Sequence, residues 1–375
     1  MKILITISRI LIGLVFIFSG FVKGVDPLGT AYKITDYFEA YHMVWAIPLS
    51  LYLSIILCAF EFVLGVLLVL NVKMKQVVWL TLLIMSFFTI ITFYDALYSP
   101  VPDCGCFGDA VKLTNWETFY KNVVLMVFVF IILFGRNKIK ACFNNTKEWG
   151  IIALVSVLFV WFSVYNYRNL PVINFRPWKT GNKMMADNPQ PSKFYLTYKN
   201  KQNGETKEYL SNELPWQDTL WTANWEYVST REDNPNKSNL GAFAIIDSSG
   251  TDMTDHFVRN PEFQFFIACY NINETNLDAF ENKINPFIEK ANKSGVSIIL
   301  LTGSSPEEIK AFRAKFPKMN YEIFSSDDIA LKAMIRSNPG LVLLKKATVL
   351  GQWHWRNIPE FDIADFQELA KKYVK

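Results

Sequence analysis

The feature that most constrains this chain is a series of five long apolar stretches in its first half. They cover residues 4–22, 47–71, 77–97, 119–135 and 149–166. About 20 apolar residues in a helix cross a hydrocarbon core, so each stretch predicts one transmembrane helix. The first stretch carries Arg9 and ends without a small-x-small cleavage site, which favours a retained helix over a signal peptide. Residues 168–375 have instead the mixed pattern of a globular domain outside the bilayer.

The distribution of basic residues predicts the orientation of these helices. Cytoplasmic loops of membrane proteins are enriched in Lys and Arg. The amino terminus and the loops 72–76 and 136–148 hold Lys2, Lys73, Lys75, Arg136, Lys138, Lys140 and Lys147, whereas the loops 23–46 and 98–118 are mainly acidic. The sequence therefore predicts a multi-pass protein of the bacterial inner membrane with a cytoplasmic amino terminus and a periplasmic carboxy-terminal domain. The net charge is only +4 and is spread out, which argues against a nucleic-acid partner.

A pair of cysteines separated by one glycine lies in an outer loop, in the stretch PDCGCFGDA at residues 102–110. Disulfides persist in an oxidising compartment such as the periplasm. Gly105 permits the tight bend that a disulfide between Cys104 and Cys106 needs. Closing so small a ring leaves strain, and strained disulfides exchange readily. The pair therefore favours redox exchange over structural cross-linking.

Other interpretations of the cysteine pair remain open at this stage. The two residues could fill space in a turn as small apolar side chains, or each could react alone with an outside partner. A structural metal site is disfavoured because the nearest other soft ligands, His42 and Cys58, are distant in the sequence, so no metal is predicted. Asp103 and Asp109 flank the pair and are expected to raise the pKa values of both thiols.

Charged residues inside the predicted helices indicate a polar site within the bundle. Arg9 lies about two turns into the first helix and Glu61 near the middle of the second. A lone charge in the hydrocarbon core is costly, so each should face the interior, and by depth an Arg9–Glu61 pair is within reach. Such a pair could fix the helix register or serve proton or quinone chemistry. Asp95, with Tyr94 and Asn122, is expected near the cysteines, either polarising a pocket or anchoring the interface.

Three segments, SRILIGLVFIFSGFVKGVDPLG, FEFVLGVLLVLN and DCGCFG, together resemble the DoxX-like membrane proteins and, more narrowly, the MauE branch of methylamine utilisation. The resemblance covers about residues 4–135. It implies a four-helix membrane bundle linked to electron transfer or to the making of periplasmic disulfides. It implicates Cys104 and Cys106 as the redox pair, with Arg9 and Glu61 as intramembrane polar positions. No cofactor follows from the residues themselves, and a quinone is implied by the resemblance alone.

The region after the last helix predicts a tether followed by a β-rich segment. Residues 168–192 are irregular, and Phe175 and Trp178 within them are expected near the membrane surface. The segments KFYLTYKN and KEYLSN predict a hairpin around Asn203-Gly204. The segments WTANWEYVSTRE and AFAIIDSSGTDMT predict further strands.

Strands and helices alternate in the last third of the chain. Helices are predicted at 275–293, 306–316 and 327–336, then a hairpin in GLVLLKKATVLGQW and a closing helix at 362–373. This order resembles a thioredoxin-like fold, with Asn338–Pro339 where that fold has its cis-proline. The predicted fold class is therefore an α-helical membrane bundle with a C-terminal α/β thioredoxin-like domain. Its parts are a DoxX/MauE-like bundle at 1–140, a fifth helix at 141–167, the tether and β-rich segment at 168–260 and the thioredoxin-like domain at 261–375.

The thioredoxin-like domain lacks the Cys-x-x-Cys of its family. The corresponding stretch reads ACYNIN, in which Cys269 is predicted to be a buried core residue. The domain is instead expected to bind a periplasmic or envelope protein. Candidate contact residues are Trp353, His354, Trp355 and Arg356, because aromatic residues and Arg dominate interface energetics. The alternative is that these residues form an ordinary strand end that packs on the fold.

Two functions follow from these observations. The first is thiol–disulfide exchange or electron transfer between periplasmic proteins and the membrane through Cys104 and Cys106. If the chain is an enzyme, it is then a membrane thiol–disulfide oxidoreductase. The second is a non-catalytic membrane scaffold or assembly factor whose outer domain binds envelope partners.

Overall fold

The computed structural model describes residues 2–101, 103–139, 142–186, 193–215, 218–233, 239–317 and 321–374. Pro102, Lys140 and the end of the predicted tether, 187–192, lie outside these residues. The chain divides into two compact units. The first comprises Met1–Arg176 with Trp353–Asn357, and the second comprises Pro177–Gln352 with Ile358–Lys375.

The first unit is a bundle of long apolar helices. In the described part of the chain, five helical stretches are long and apolar enough to cross a membrane. The bundle consists of α1 Lys2–Val25, α2 Pro27–Ala40, a 3₁₀ turn Val44–Leu49, α3 Ser50–Leu70, α4 Met74–Tyr98, α5 Asn115–Gly135 and α6 Asn145–Arg168. The predicted spans are confirmed, each within a few residues of its observed bounds. The protein is a multi-pass membrane protein.

One helix of the bundle was not predicted, because the segment 23–46 was treated only as an outer loop. It contains α2, which begins with an N-cap at Asp26 whose side chain accepts from Gly29 N at 3.0 Å, and which has Pro27 at its first position. An Asp followed by Pro is a common start signal for a helix. The sequence therefore did carry evidence for α2, in a segment too polar to be read as a membrane span.

Helices α1 and α3 pack backbone against backbone through glycines. A Cβ atom at Gly20 would lie 2.6 Å from Phe62 N, and one at Gly65 would lie 2.6 Å from Ile17 N. Small residues at such crossings allow close approach of membrane helices. The contacts set an antiparallel register in which the middle of α3 faces residues 17–20 of α1.

Aromatic side chains are exposed at both ends of the bundle. Trp45 and Tyr98 lie at the end where α4 and α5 are connected, and Trp79 and Trp149 lie at the opposite end. Trp and Tyr are enriched at membrane–water interfaces because one part of the ring is apolar and another is polar. Their placement agrees with a bundle that crosses the bilayer.

The second unit contains a five-stranded sheet with the order β6-β5-β4-β7-β8. Its strands are β4 Gln264–Ala268, β5 Ser297–Thr302, β6 Glu322–Ser325, β7 Gly340–Lys345 and β8 Thr348–His354. The first three run parallel, and β7 is antiparallel to β4. The turn after β7 uses Lys346 and Ala347, both with positive φ, as a tight hairpin requires.

Helices cover this sheet in the predicted order. They are α8 Thr254–Val258, α9 Leu277–Ala279, α10 Asn285–Lys293, α11 Pro306–Lys315, α12 Asp328–Met334 and α13 Ile363–Tyr373. Helices α9 and α10 are joined by a π-helical turn, Phe280–Ile284, and form one continuous helical segment with it. The Asn338–Pro339 peptide bond is cis and directly precedes β7. The strand order, the crossover helices and this cis-proline together define the thioredoxin-like fold that was predicted.

A smaller sheet of order β2-β1-β3 precedes the five-stranded one. It contains β1 Lys193–Asn200, β2 Thr206–Leu210 and β3 Trp225–Asp233, and the predicted β1–β2 hairpin is confirmed. The predicted strand at WTAN is wrong, because Thr219–Asn224 forms helix α7, capped by Asp218. The predicted strand at AFAIIDSSGTDMT is reduced to isolated bridges at Ile246.

The start of the second unit departs from the predicted tether. Trp178 is only 2% exposed and packs edge-on against Phe243, with ring centroids 4.9 Å apart. An interfacial position for Trp178 is therefore wrong, because the ring belongs to the core of the α/β unit. Phe175 is exposed. Gly181 N and Met184 N donate to carbonyls beside β8, each at 2.7 Å, so this segment is fixed to the sheet.

Candidate redox site

The connection between α4 and α5 folds into a tight bend around the two cysteines. Gly105 has φ +63°, in the left-handed region that glycine adopts without strain. Its N–H donates to Asp103 Oδ1 at 3.0 Å, and Gly108 N donates to Gly105 O at 3.0 Å. This bend brings Cys104 Sγ and Cys106 Sγ to 2.8 Å from each other.

Both cysteines are free thiols and are half-buried. A disulfide bond is about 2.05 Å long, so a small side-chain rotation would join the two sulfurs. The pair lines a small cleft of about 220 Å³ together with Lys112, Leu113 and Thr118. The predicted bend is present, and both cysteines are partly exposed beside this cleft.

Helix α2 holds this bend from one side. Lys33 Nζ donates to Asp103 Oδ2 at 3.1 Å, while the other oxygen of Asp103 binds Gly105 N. The stem of Lys33 lies over the glycine, since a Cβ at Gly105 would be 3.1 Å from Lys33 Cγ. Lys33 was not predicted as a site residue, because it is 70 residues from Asp103 and its helix was unrecognised.

The charges around Cys106 activate its thiol. The pKa of Cys106 is lowered to about 6, first by a hydrogen bond from Cys104 and then by the ammonium groups of Lys121 and Lys23, which together outweigh the effects of burial and of Glu61. The same hydrogen bond, followed by burial, raises the pKa of the Cys104 thiol. The Cys106 thiol therefore loses its proton more readily than the Cys104 thiol.

This asymmetry corrects the expectation that flanking acids raise both pKa values. The expectation is wrong for Cys106, whose pKa is lowered. The carboxylate of Asp103 is occupied by Lys33 and Gly105. The pKa of Cys104 is raised, but the first cause is its hydrogen bond to Cys106.

A buried ion pair lies below the bend, but its members differ from those predicted. Lys23 Nζ pairs with Glu61 Oε1, and both side chains are almost fully buried. Ser19 Oγ lies 2.8 Å from Glu61 Oε2 and 2.8 Å from Cys106 O, so it connects the ion pair to the bend. The predicted Arg9–Glu61 pair is wrong. Arg9 Nη1 donates instead to Leu68 O at 2.7 Å and to Val69 O at 3.2 Å, at the carboxy-terminal end of α3.

Asp95 lies beneath the bend on the α4 side. It is fully buried, and its Oδ2 accepts from Tyr37 OH at 2.6 Å. Asn122 Nδ2 donates to Thr92 Oγ1 at 3.1 Å, one turn deeper along α4. Tyr94 is exposed and its ring packs against Tyr98. Of the three residues predicted near the cysteines, Asp95 is the one connected to the bend. Its partner Tyr37 lies on α2, the helix whose Lys33 binds Asp103.

The remaining candidate residues lie in the carboxy-terminal part of the chain, Cys269 in the second unit and Trp353–Arg356 in the first, where Arg356 Nη1 donates to Arg168 O at 3.2 Å. Cys269 is fully buried and donates to Thr275 Oγ1 at 3.1 Å, and burial raises its pKa to about 12. Its predicted role as a core residue is confirmed. His354 is buried, with Nδ1 accepting from Arg356 N at 3.1 Å, and the Arg356 guanidinium lies 4.1 Å from the Trp355 ring centroid.

Within the described residues, no group of three or more His, Cys, Asp or Glu side chains is arranged to hold a metal ion. The groups that the site does bring together are two thiols, the Ser19 hydroxyl and the Lys23–Glu61 ion pair. The site defines a class: a membrane helix bundle with a half-exposed dithiol at one end, joined in one chain to a thioredoxin-like domain.

Comparison with known proteins finds a similarity for the membrane part. Residues 1–135 match the family model of the methylamine utilisation protein MauE, so the bundle up to the end of α5 is MauE-like, as predicted. No curated protein sequence matches the chain. The crystal structure of yeast Sco1 is similar at 13% identity, covering 35% of this chain and 96% of that one, with a TM-score of 0.27. A structure of BsSco, a member of the Sco family of cytochrome c oxidase assembly proteins in which a disulfide switch was identified, is similar at 13% identity. It covers 35% of this chain and 92% of that one, with a TM-score of 0.28.

Proposed function

We propose that this protein exchanges electrons with disulfides and thiols of envelope proteins through Cys104 and Cys106. The pair would lie at the outer face of the bacterial inner membrane, since the basic loops are at the opposite end of the bundle. The observation that carries the proposal is the 2.8 Å separation of the two sulfurs in a glycine bend. A buried structural thiol would need neither this proximity nor partial exposure.

The unequal thiols assign an order to the steps. The Cys106 thiolate attacks one sulfur of a partner disulfide, whose bond breaks as a Cys106–partner bond forms, and the other partner sulfur leaves as a thiolate. Cys104 then loses its proton and attacks Cys106 Sγ, which releases the second partner sulfur. The partner gains two electrons, and the Cys104–Cys106 pair loses two. The reverse sequence oxidises a partner dithiol.

A quinone is implied by the family resemblance alone. Exchange with a protein disulfide needs only surface access to one sulfur. The steps given above therefore use protein thiols and disulfides and assign no role to a quinone.

The outer domain supports this function by binding and not by redox chemistry. Its one cysteine is buried and bonded to Thr275, so it offers no reactive thiol. We assign to the carboxy-terminal part of the chain the positioning of an envelope partner, with Trp353, Trp355 and Arg356, at and after the end of β8, as contact residues. Aromatic side chains and Arg supply most of the binding energy in protein interfaces.

Trapping in cells tests the proposal. Cys104→Ser leaves the nucleophile without its resolving partner, so it should accumulate mixed disulfides between Cys106 and envelope proteins. Cys106→Ser should accumulate fewer, because burial still raises the pKa of the remaining Cys104 thiol after the bond to Cys106 is lost. Cys142→Ser, at the other end of the bundle, is the matched control and should behave as wild type. A wild-type pair that is fully reduced, with no adduct in either variant, would contradict the proposal.

A further inference from the structure

The Cys106 half of the bend is held by a part of α1 that takes no part in the exchange steps given above. Ser19 is half-buried, and its Oγ donates to Cys106 O at 2.8 Å. Beside this bond, the rings of Phe18 and Phe107 lie with their centroids 5.5 Å apart. Two consecutive residues of α1 therefore contact two consecutive residues of the bend, one pair through a hydrogen bond and the other through aromatic rings.

The Cys104 half of the bend is held by a different helix. Lys33 of α2 donates to Asp103 Oδ2 at 3.1 Å, and Asp103 Oδ1 accepts from Gly105 N at 3.0 Å. The two sulfurs therefore lie between a fixed point on α2 and a fixed point on α1. A disulfide needs its Cα atoms about 5.5 Å apart and a near-perpendicular dihedral angle. A bend that is held at both ends has less conformational freedom to lose when that bond forms.

The Ser19 hydroxyl lies between two acceptors but carries one proton. Its Oγ is 2.8 Å from Glu61 Oε2 and 2.8 Å from Cys106 O, and one proton makes a full hydrogen bond to only one of them. A carboxylate is normally the stronger acceptor, because hydrogen bonds to ionised groups are about twice as strong as neutral ones. Here the Lys23 ammonium already donates to Glu61, and both side chains are almost fully buried. The ion pair therefore leaves the Ser19 proton available to the Cys106 carbonyl.

We propose that Ser19 is a positioning residue for the step in which Cys104 and Cys106 close into a disulfide. This inference deepens the proposed function and rests on it. In that step Cys104, having given its proton to solvent, supplies the electron pair of the new S–S bond. The bond between Cys106 and the partner sulfur breaks, and the partner sulfur leaves as a thiolate. No bond within Ser19 changes, because its hydroxyl acts by fixing the Cys106 carbonyl and thereby keeping Cys106 Sγ within reach of Cys104 Sγ.

Substitutions at position 19 and a matched control isolate the effect of the hydroxyl. Ser19→Ala removes the donor, whereas Ser19→Thr keeps a hydroxyl on the same carbon atom. Ser8→Ala is the control, because Ser8 is a fully buried residue of the same helix. Its hydroxyl has no hydrogen-bond partner among the residues that the structure describes. A general effect of removing a hydroxyl from α1 would therefore appear in Ser8→Ala as well as in Ser19→Ala.

A chromogenic disulfide separates the first attack from ring closure. The reduced full-length protein in detergent, with Cys142 replaced by Ala, is mixed with dithiobis(nitrobenzoate) in a stopped-flow instrument. Wild type should release one equivalent of coloured thiolate in the first attack and a second when the ring closes. Ser19→Ala should keep the wild-type rate of the first phase. Its second phase should be about twofold to tenfold slower, the factor that corresponds to the net contribution of one hydrogen bond.

Two further readouts distinguish positioning from a general loss of structure. The slowing in Ser19→Ala should be the same factor between about pH 6 and 9, because Ser19 transfers no proton in this step. Ser19→Thr should restore the wild-type second phase. Equal slowing of both phases, a second phase at the wild-type rate, a factor that changes with pH, no recovery in Ser19→Thr, or the same loss in Ser8→Ala would overturn the inference. A wild-type protein that releases no coloured thiolate would instead refute the proposed exchange function itself.

Discussion

Removal of the Cys104 thiol should change the ionisation of Cys106 in a measurable way. Cys106 has a pKa of about 6, and the hydrogen bond from Cys104 is the largest cause. In Cys104→Ala that bond is lost while the burial of Cys106 remains. We expect its pKa to rise to about 8.5, the value of a free cysteine, because the remaining lysines offset burial.

The size of the effect depends on which quantity is measured. At pH 7 a thiol with a pKa of about 6 is about 90% thiolate, whereas one with a pKa of about 8.5 is about 3% thiolate. The more basic thiolate is about tenfold more nucleophilic, so the alkylation rate at pH 7 should fall only about threefold. The midpoint of the pH profile is therefore the better readout.

Pulse alkylation with iodoacetamide between about pH 5 and 10, read by mass spectrometry of the cysteine peptide, gives that midpoint. The Cys142→Ala background removes the exposed thiol, and the reduced wild-type pair provides the reference. A lowered pKa means that the thiolate is present above pH 6 and is lost as the pH falls below it. A midpoint that stays near 6 in Cys104→Ala, or a wild-type midpoint above 8, would refute the assignment of Cys106 as the nucleophile.

Three further predictions follow. Gly105→Ala should cost about 1–2 kcal/mol, because alanine is strained in the left-handed conformation, and most of this cost should fall on the closed disulfide. The pair should therefore become about fivefold to thirtyfold easier to reduce in a glutathione titration. An unchanged equilibrium would mean that the bend does not constrain the pair. Lys23→Met should destabilise the bundle by about 3–5 kcal/mol, because Glu61 is left buried without its lysine. The double variant Lys23→Met with Glu61→Leu should recover most of this stability in thermal unfolding. A double variant as unstable as the single one would contradict the pairing. Cys269, with its pKa of about 12, should resist alkylation at pH 8 in the folded protein and react only after unfolding, and rapid labelling of the native state would disprove its burial.

The membrane helices could be predicted because their apolar length is a strong and local signal. The ion pair could not, because depth along a helix does not reveal which face a residue occupies. The glycines Gly20 and Gly65 bring α1 and α3 into contact in a register that places Ser19 and Lys23 beside Glu61. In the sequence, Lys23 looked like a residue at the end of a span, and Arg9 was the closer candidate by depth.

The cysteine pair was predicted in position but not in its electrostatics. The flanking acids are visible in the sequence, whereas the groups that counter them come from other helices. Lys33 of α2 binds Asp103, and Lys121 of α5 acts on Cys106. Electrostatics of this kind depends on tertiary contacts and cannot be read from neighbours along the chain.

The outer domain shows the same division between local and tertiary information. The alternation of strands and helices predicted the thioredoxin-like order, and the position of the cis-proline before β7 followed from it. Trp178 was misplaced because an aromatic residue shortly after a membrane helix suits the interface. Its partner in the core, Phe243, is distant in the sequence.

The central claim is that Cys104 and Cys106 form a reversible disulfide on the outer side of the membrane. Differential alkylation of intact cells with a membrane-impermeant maleimide, before and after mild reduction, tests it directly, with the mass of the cysteine peptide as the readout. The account predicts an unlabelled peptide two hydrogens lighter than the dithiol before reduction, and a peptide labelled at both sulfurs afterwards. A peptide that carries two free thiols at rest, or one that the impermeant reagent cannot reach after reduction, would contradict it.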